Sequence, residues 1–102
     1  MSKARSLKVI ENGCEVVADR VVSSLGKGAE YLQITSKSPY ADFVGPVRGV
    51  ESGWRWHVAG IKDGMVFDRL TGKAGMMLDD YIKLFDYSSD LNFEITATRT
   101  LK

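Results

Sequence analysis

Trp54-Arg55-Trp56-His57-Val58-Ala59-Gly60-Ile61-Lys62-Asp63-Gly64-Met65-Val66-Phe67-Asp68-Arg69-Leu70 is the stretch whose reading decides how this chain folds. Asp-Gly accepts the positive φ angles that a type I′ turn demands, and Asp63-Gly64 separates two short runs rich in β-branched and aromatic residues. The reading is a β-hairpin with arms over 54–61 and 65–70. If Asp63-Gly64 is the whole two-residue turn, Lys62 faces Met65 and Ala59 faces Asp68. His57 then shares a face with Asp68, one diagonal step away, at roughly 5–8 Å between Cβ atoms. Centring the turn on Lys62-Asp63 puts His57 directly opposite Asp68. A three-residue loop with Gly64 in a bulge sends the two side chains to opposite faces, so one residue of register decides whether imidazole and carboxylate meet.

Working outward, Val17, Ala18, Val21, Val22 and Leu25 fall at the spacing of one helical face between Cys14 and Leu25, with Gly26 as a stop. Tyr31 to Thr35 reads as a strand. Ser36 to Gly53, with Pro39, Gly45, Pro46, Gly49 and Gly53, reads as a loop long enough to carry a function or to hide a short element. Beyond the hairpin, Leu78, Tyr81, Ile82 and Phe85 make a second helical stripe within Met76 to Phe85. Leu91 to Thr100 alternates as a final strand, with Phe93, Ile95 and Ala97 on one face. Met76, Met77, Tyr81 and Phe85 read as core, and Asp79 and Asp80 as first-turn acids favoured by the helix dipole. The expected architecture is α+β: an N-terminal helix carrying Cys14, packed on a mainly antiparallel sheet of about four strands, plus a second helix.

The chain of 102 residues is expected to be one domain over 1–102, with residues 1–10 a basic leader or a linker to a longer protein. With 44% hydrophobic residues it can build a core, and no apolar run reaches the ~18 residues of a membrane helix. A single cysteine makes no internal disulfide, which fits a reducing compartment. The N-terminal Met-Ser-Lys-Ala-Arg lacks the apolar segment of a secretory signal, so the chain reads as cytosolic or as a piece of a longer one. Net charge is +1, yet Arg48, Arg55, Lys62, Arg69 and Lys73 lie in segments with few acids. A basic face would suit nucleic acid or an acidic partner, and a mixed solvated surface is the plain alternative.

Cys14 and His57 are the sole cysteine and histidine. With Asp68 they supply a nucleophile, a base and a group to orient the base. Asn12-Gly13 can turn the chain so that Cys14 enters the first helical turn, where unpaired N–H groups and the dipole favour thiolate and could hold an oxyanion. Taken singly, Cys14 also reads as a small buried apolar residue, and His57 as a structural histidine on a half-buried strand. One cysteine and one histidine cannot make a structural zinc site, and Gly26-Lys27-Gly28 is no phosphate loop, so neither metal nor cofactor is expected.

The order of a cysteine at a helix start, Trp56-His57-Val58 in a strand, a turn, then Val66-Phe67-Asp68 followed by Leu70-Thr71-Gly72, resembles the papain-fold toxin domains at the C-termini of bacterial polymorphic toxins, including effectors of contact-dependent growth inhibition. The resemblance covers about residues 11–85 and is strongest from Trp56 to Gly72. It implies a minimal papain-like fold with Cys14 as nucleophile, His57 as base and Asp68 as orienting residue. The chain departs from that pattern in having no glutamine between Lys8 and Gly13, which leaves Asn12 as the oxyanion candidate. The short separation of Cys14 from His57 also removes the walls of an extended peptide groove. The implied activity is amide or thioester acyl chemistry on a macromolecule in the cytoplasm of a competing bacterium, delivered by a secreted or surface-displayed effector. A cognate immunity protein is implied, its contact surface expected to be acidic if the basic residues cluster around His57; a host activating factor is a further candidate partner, and no membrane is expected.

Two other functions fit the same residues. Growth-inhibition toxins are often ribonucleases, and His57 as acid or base, with Arg48, Arg55, Lys62, Arg69 or Lys73 near a phosphate and Trp54 or Trp56 stacking a base, would suit transfer RNA. The third is a non-catalytic interaction domain in which Cys14 and His57 only pack.

Overall fold

The computed structural model describes residues 15–38, 44, 47 and 55–100. Helix α1 runs over residues 15–25, followed by β1 (Glu30–Ser36), β2 (His57–Lys62), β3 (Met65–Phe67), β4 (Met76–Met77), α2 (Leu78–Ile82), a 3₁₀ turn at Ser88–Asp90 and β5 (Leu91–Thr96). All strand pairings are antiparallel, in the order β4-β3-β2-β1-β5. The class is α+β, with five strands where about four were expected.

The hairpin has the two-residue turn. Asp63 (φ 52°) and Gly64 (φ 79°) both sit in the left-handed region, and Lys62 pairs Met65, Ile61 pairs Val66 and Gly60 pairs Phe67. This register puts His57, Ala59 and Ile61 on one face of β2, together with Leu32 and Ile34 of β1 and Val66 of β3. Tyr81 and Phe85 cover that face, joined by Val44 and Val47 from the long loop, where Val47 bridges to Phe85. Phe85 lies edge-on to both Tyr81 and Phe93, with centroids 5.5 and 5.6 Å apart.

The opposite face, with Val58 and Gly60, carries α1. The helix is fastened at three levels: Trp56 Nε1 donates to Glu15 Oε2 (3.2 Å), Tyr31 and Arg99 donate to the Asp19 carboxylate (3.0–3.1 Å), and Lys62 Nζ donates to the Leu25 carbonyl (2.9 Å). Arg99 holds the Asp19 carboxyl below its ordinary pKa, chiefly through those hydrogen bonds. Gly26 (φ 77°) closes α1 by donating to the Val22 carbonyl.

Four expectations about element extent need correction. Met76 and Met77 form an edge strand paired with Val66 and Met65, not the start of a helix, and Met77, expected in the core, is exposed on that edge. The second helix is Leu78–Ile82 and not Met76–Phe85, because Leu84 and Phe85 donate to Tyr81 and Ile82 in the tighter i→i−3 pattern. The second hairpin arm ends at Phe67, so Asp68 to Leu70 lie in a turn, while the first arm begins at His57 with Arg55 and Trp56 outside it. The last strand ends at Thr96, and Ile95 on it is 45% exposed. The leader over residues 1–10 lies outside the described residues.

Gly60 is where α1 sits closest to the sheet. A Cβ there would strike Val21 Cγ1 and lie 3.5 Å from Val22 Cγ2, and a β-branched helical side chain has little rotamer freedom to yield. Gly60→Ala is therefore expected to cost about 1–3 kcal/mol through overpacking, read from urea unfolding, with Val21→Ala recovering most of it in the double variant. An unchanged midpoint in Gly60→Ala would mean that α1 does not pack there.

Candidate functional site

The site is built by the turn after β3. Asp68 leaves the strand and folds its carboxylate back on its own chain, where Oδ1 accepts from the Leu70 and Thr71 backbone N–H groups at 2.8 and 3.2 Å. The Asp68 N–H donates to Thr71 Oγ1 (3.0 Å), and Gly72, at φ 73°, donates its N–H to the Asp68 carbonyl (3.2 Å). The Asp-Arg-Leu-Thr-Gly sequence thus has a local purpose: one oxygen of the acid is spent on holding the turn, and the other is aimed at the sheet.

That second oxygen, Oδ2, meets His57 Nε2 at 2.8 Å and the Tyr81 hydroxyl at 2.5 Å. The pair is buried, with 5% of the His57 side chain and 2% of the Asp68 side chain exposed. Burial by itself raises the Asp68 pKa, but the hydrogen bond and charge of His57, the Tyr81 hydroxyl and the Leu70 N–H outweigh it and hold the carboxyl below its ordinary range. An ionised carboxylate only accepts, so Nε2 carries a proton toward it, and in the neutral ring the lone pair is on the buried Nδ1. This is the arrangement that orients an imidazole base.

Of the residues singled out from sequence, His57 and Asp68 are brought together. Arg55, two residues before His57, and Arg69, next to Asp68 in the chain, are exposed, and Trp56 is half-buried with its N–H committed to Glu15. Cys14, Asn12 and Trp54 lie outside the described residues. Sequence reasoning missed Tyr81 as part of the site, having placed it in the core only. Its ring is there, at 0% exposure, but its hydroxyl belongs to Asp68. A tyrosine in a helical stripe where phenylalanine would fill the same space was the available signal.

A groove of about 500 Å³ lies on the α1 side of the turn, between Val21, Ser24 and Leu25 of the helix and Phe67, Asp68 and Lys73. The His57 ring is on the other face of the sheet, so the groove adjoins the pair only through the Asp68 backbone turn. Among the described residues no three His, Cys, Asp or Glu side chains gather in a way that could hold a metal ion, and no helix is long and apolar enough to cross a membrane. No family model, no curated protein and no solved structure matches this chain.

Proposed function

We propose that this chain is a cysteine hydrolase or acyl transferase, the toxin domain of a bacterial effector of the papain-fold kind that its sequence resembles. Cys14 is the nucleophile, His57 its base through Nδ1, and Asp68 the residue that holds the ring through Nε2. The single observation that carries this reading is the buried 2.8 Å contact between His57 Nε2 and Asp68 Oδ2, which leaves the basic nitrogen of the ring facing away from the acid.

One further observation bears on sulfur chemistry. Glu15, the chain neighbour of Cys14, accepts from the Trp56 N–H, and Trp56 is the chain neighbour of His57, so the start of α1 is tied to the start of β2; α1 packs on the face opposite the His57 ring, and under this reading the thiol reaches Nδ1 around that end of the strand.

In the reaction, the Cys14 proton passes to Nδ1 while sulfur bonds to a carbonyl carbon, and Asp68 stabilises the imidazolium. Collapse of the oxyanion breaks the carbonyl-to-leaving-group bond, and the leaving group takes the proton from Nδ1. Water or an acceptor amine then attacks the thioester carbon while giving its proton to Nδ1, and collapse of the second oxyanion breaks the carbon–sulfur bond, with the Cys14 sulfur regaining that proton from His57. Asn12 is the proposed oxyanion donor, and Arg55 and Arg69 the proposed cationic contacts for a macromolecular target. An immunity protein with an acidic contact surface would pair with those arginines, and its association rate is expected to fall with salt.

The test is incubation of the purified chain with bacterial extract, followed by mass analysis of protein and gel analysis of RNA side by side. The expected result is a protein product formed by the parent chain and not by Cys14→Ala, with transfer RNA intact in both. A Cys14→Ala chain that still degrades transfer RNA would replace this reading with the ribonuclease one.

A further inference from the structure

We propose that Tyr81 is a positioning residue for the His57–Asp68 pair, clamping the carboxylate from the side opposite the backbone turn so that one acid orientation faces the imidazole. The proposal deepens the reading of His57 and Asp68 as an oriented base and rests on it.

The geometry divides the carboxylate's two oxygens between two tasks. Oδ1 is held by the Leu70 and Thr71 N–H groups, which fix the acid to its turn. A carboxylate held at one oxygen by its own turn can still swing about χ2, a soft torsion. Tyr81 removes that freedom, because its hydroxyl donates to Oδ2, the oxygen that His57 engages. The phenol can be aimed because its ring is locked: Tyr81 is fully buried in α2, edge-on to Phe85 at 5.5 Å, and the start of α2 is tied to the hairpin turn by the Leu78 N–H donating to the Gly64 carbonyl at 3.0 Å. The hydroxyl also draws charge from Oδ2, in keeping with an Asp68 carboxyl held below its ordinary pKa range. Tyr81 itself touches no reacting atom under this proposal; it acts through Asp68.

The test uses the sole histidine as its own reporter. Long-range ¹H–¹⁵N spectra of the imidazole, recorded where the ring is neutral, distinguish the Nε2–H from the Nδ1–H tautomer, and ¹³Cγ titration follows the Asp68 carboxyl. In the parent chain the Nε2–H tautomer is expected to dominate. In Tyr81→Phe the Nε2–H to Nδ1–H ratio is expected to fall several-fold and the Asp68 titration to move to higher pH. Uniform replacement of tyrosine by 3-fluorotyrosine keeps the ring and makes its hydroxyl a stronger donor, so the Asp68 titration should move the other way. This second arm decides the matter if Tyr81→Phe fails to fold. A tautomer ratio unchanged in folded Tyr81→Phe, or shifts of Asp68 that are absent or of the same sign in both proteins, would overturn the proposal. Failure of the base reading looks different: Cys14 alkylation would then ignore His57→Ala, while Asp68 would still respond to Tyr81.

Discussion

His57→Ala is expected to lower the rate of the proposed reaction on the order of 10³-fold while the chain remains folded, with turnover of the protein target found in extract as the measurement. General base catalysis contributes typically 10²–10⁴-fold, and here the base also generates the nucleophile. The cost in stability is smaller and of different origin. Removing the ring leaves a void beneath Ile34, its partner on β1, and deprives Asp68 Oδ2 of one of its two side-chain donors. His57→Gln, which fills more of that space, is expected to recover stability without recovering rate. Rate and stability falling together across both variants would instead indicate a histidine that only packs.

Asp68→Ala is expected to be the most destabilising single change at the site, by about 3–5 kcal/mol, because it strips the acceptor from two buried side-chain donors and from the two N–H groups of its turn at once. For a domain of this size that is a fall in Tm on the order of 15–30 °C, read by thermal melts. The same carboxylate gives the fold an acid limb. Its folded pKa is depressed, so the unfolded chain takes up the proton first as pH falls. The stabilisation is present in full above the unfolded value of about 3.9 and is lost as pH drops from there through the folded value. Urea midpoints measured from pH 6 downward should therefore fall less steeply in Asp68→Asn than in the parent chain. A parallel fall in both, or an Asp68→Ala chain melting within a few degrees of the parent, would show that the buried pair does little for the fold.

Much of this was legible because short-range chemistry dictated it. Asp63-Gly64 marked the hairpin but left three registers open, and the pairing of Lys62 with Met65 selects the two-residue turn, which puts His57 on the face of Asp68. The spacing of Val17, Ala18, Val21, Val22 and Leu25 likewise announced α1, and Gly26 its end. What the pattern hid was decided by contacts distant in sequence. Met76 and Met77 look helical beside Leu78 and Tyr81, but the open edge of β3 recruits them as a strand. Of the apolar stripe to Phe85, Tyr81 and Phe85 are buried and Leu78 and Ile82 half-buried, yet period alone cannot distinguish an α-helix from the i→i−3 turns that carry its second half. A tyrosine in place of phenylalanine in the stripe signalled a buried hydroxyl in need of a partner, but that partner is a side-chain oxygen of a turn distant in sequence, which the helical pattern could not name.

The account's central claim is that His57 is a base for the thiol of Cys14. Because the chain has one cysteine, iodoacetamide reports on that thiol alone. The alkylation rate, followed by intact mass from pH 5 to 10, is expected to plateau well below the range of an ordinary thiol, about 8.5. In folded His57→Ala the profile should move up toward that value, so that near pH 6 the parent chain reacts at least about tenfold faster. Superimposable profiles for the two proteins would contradict the claim.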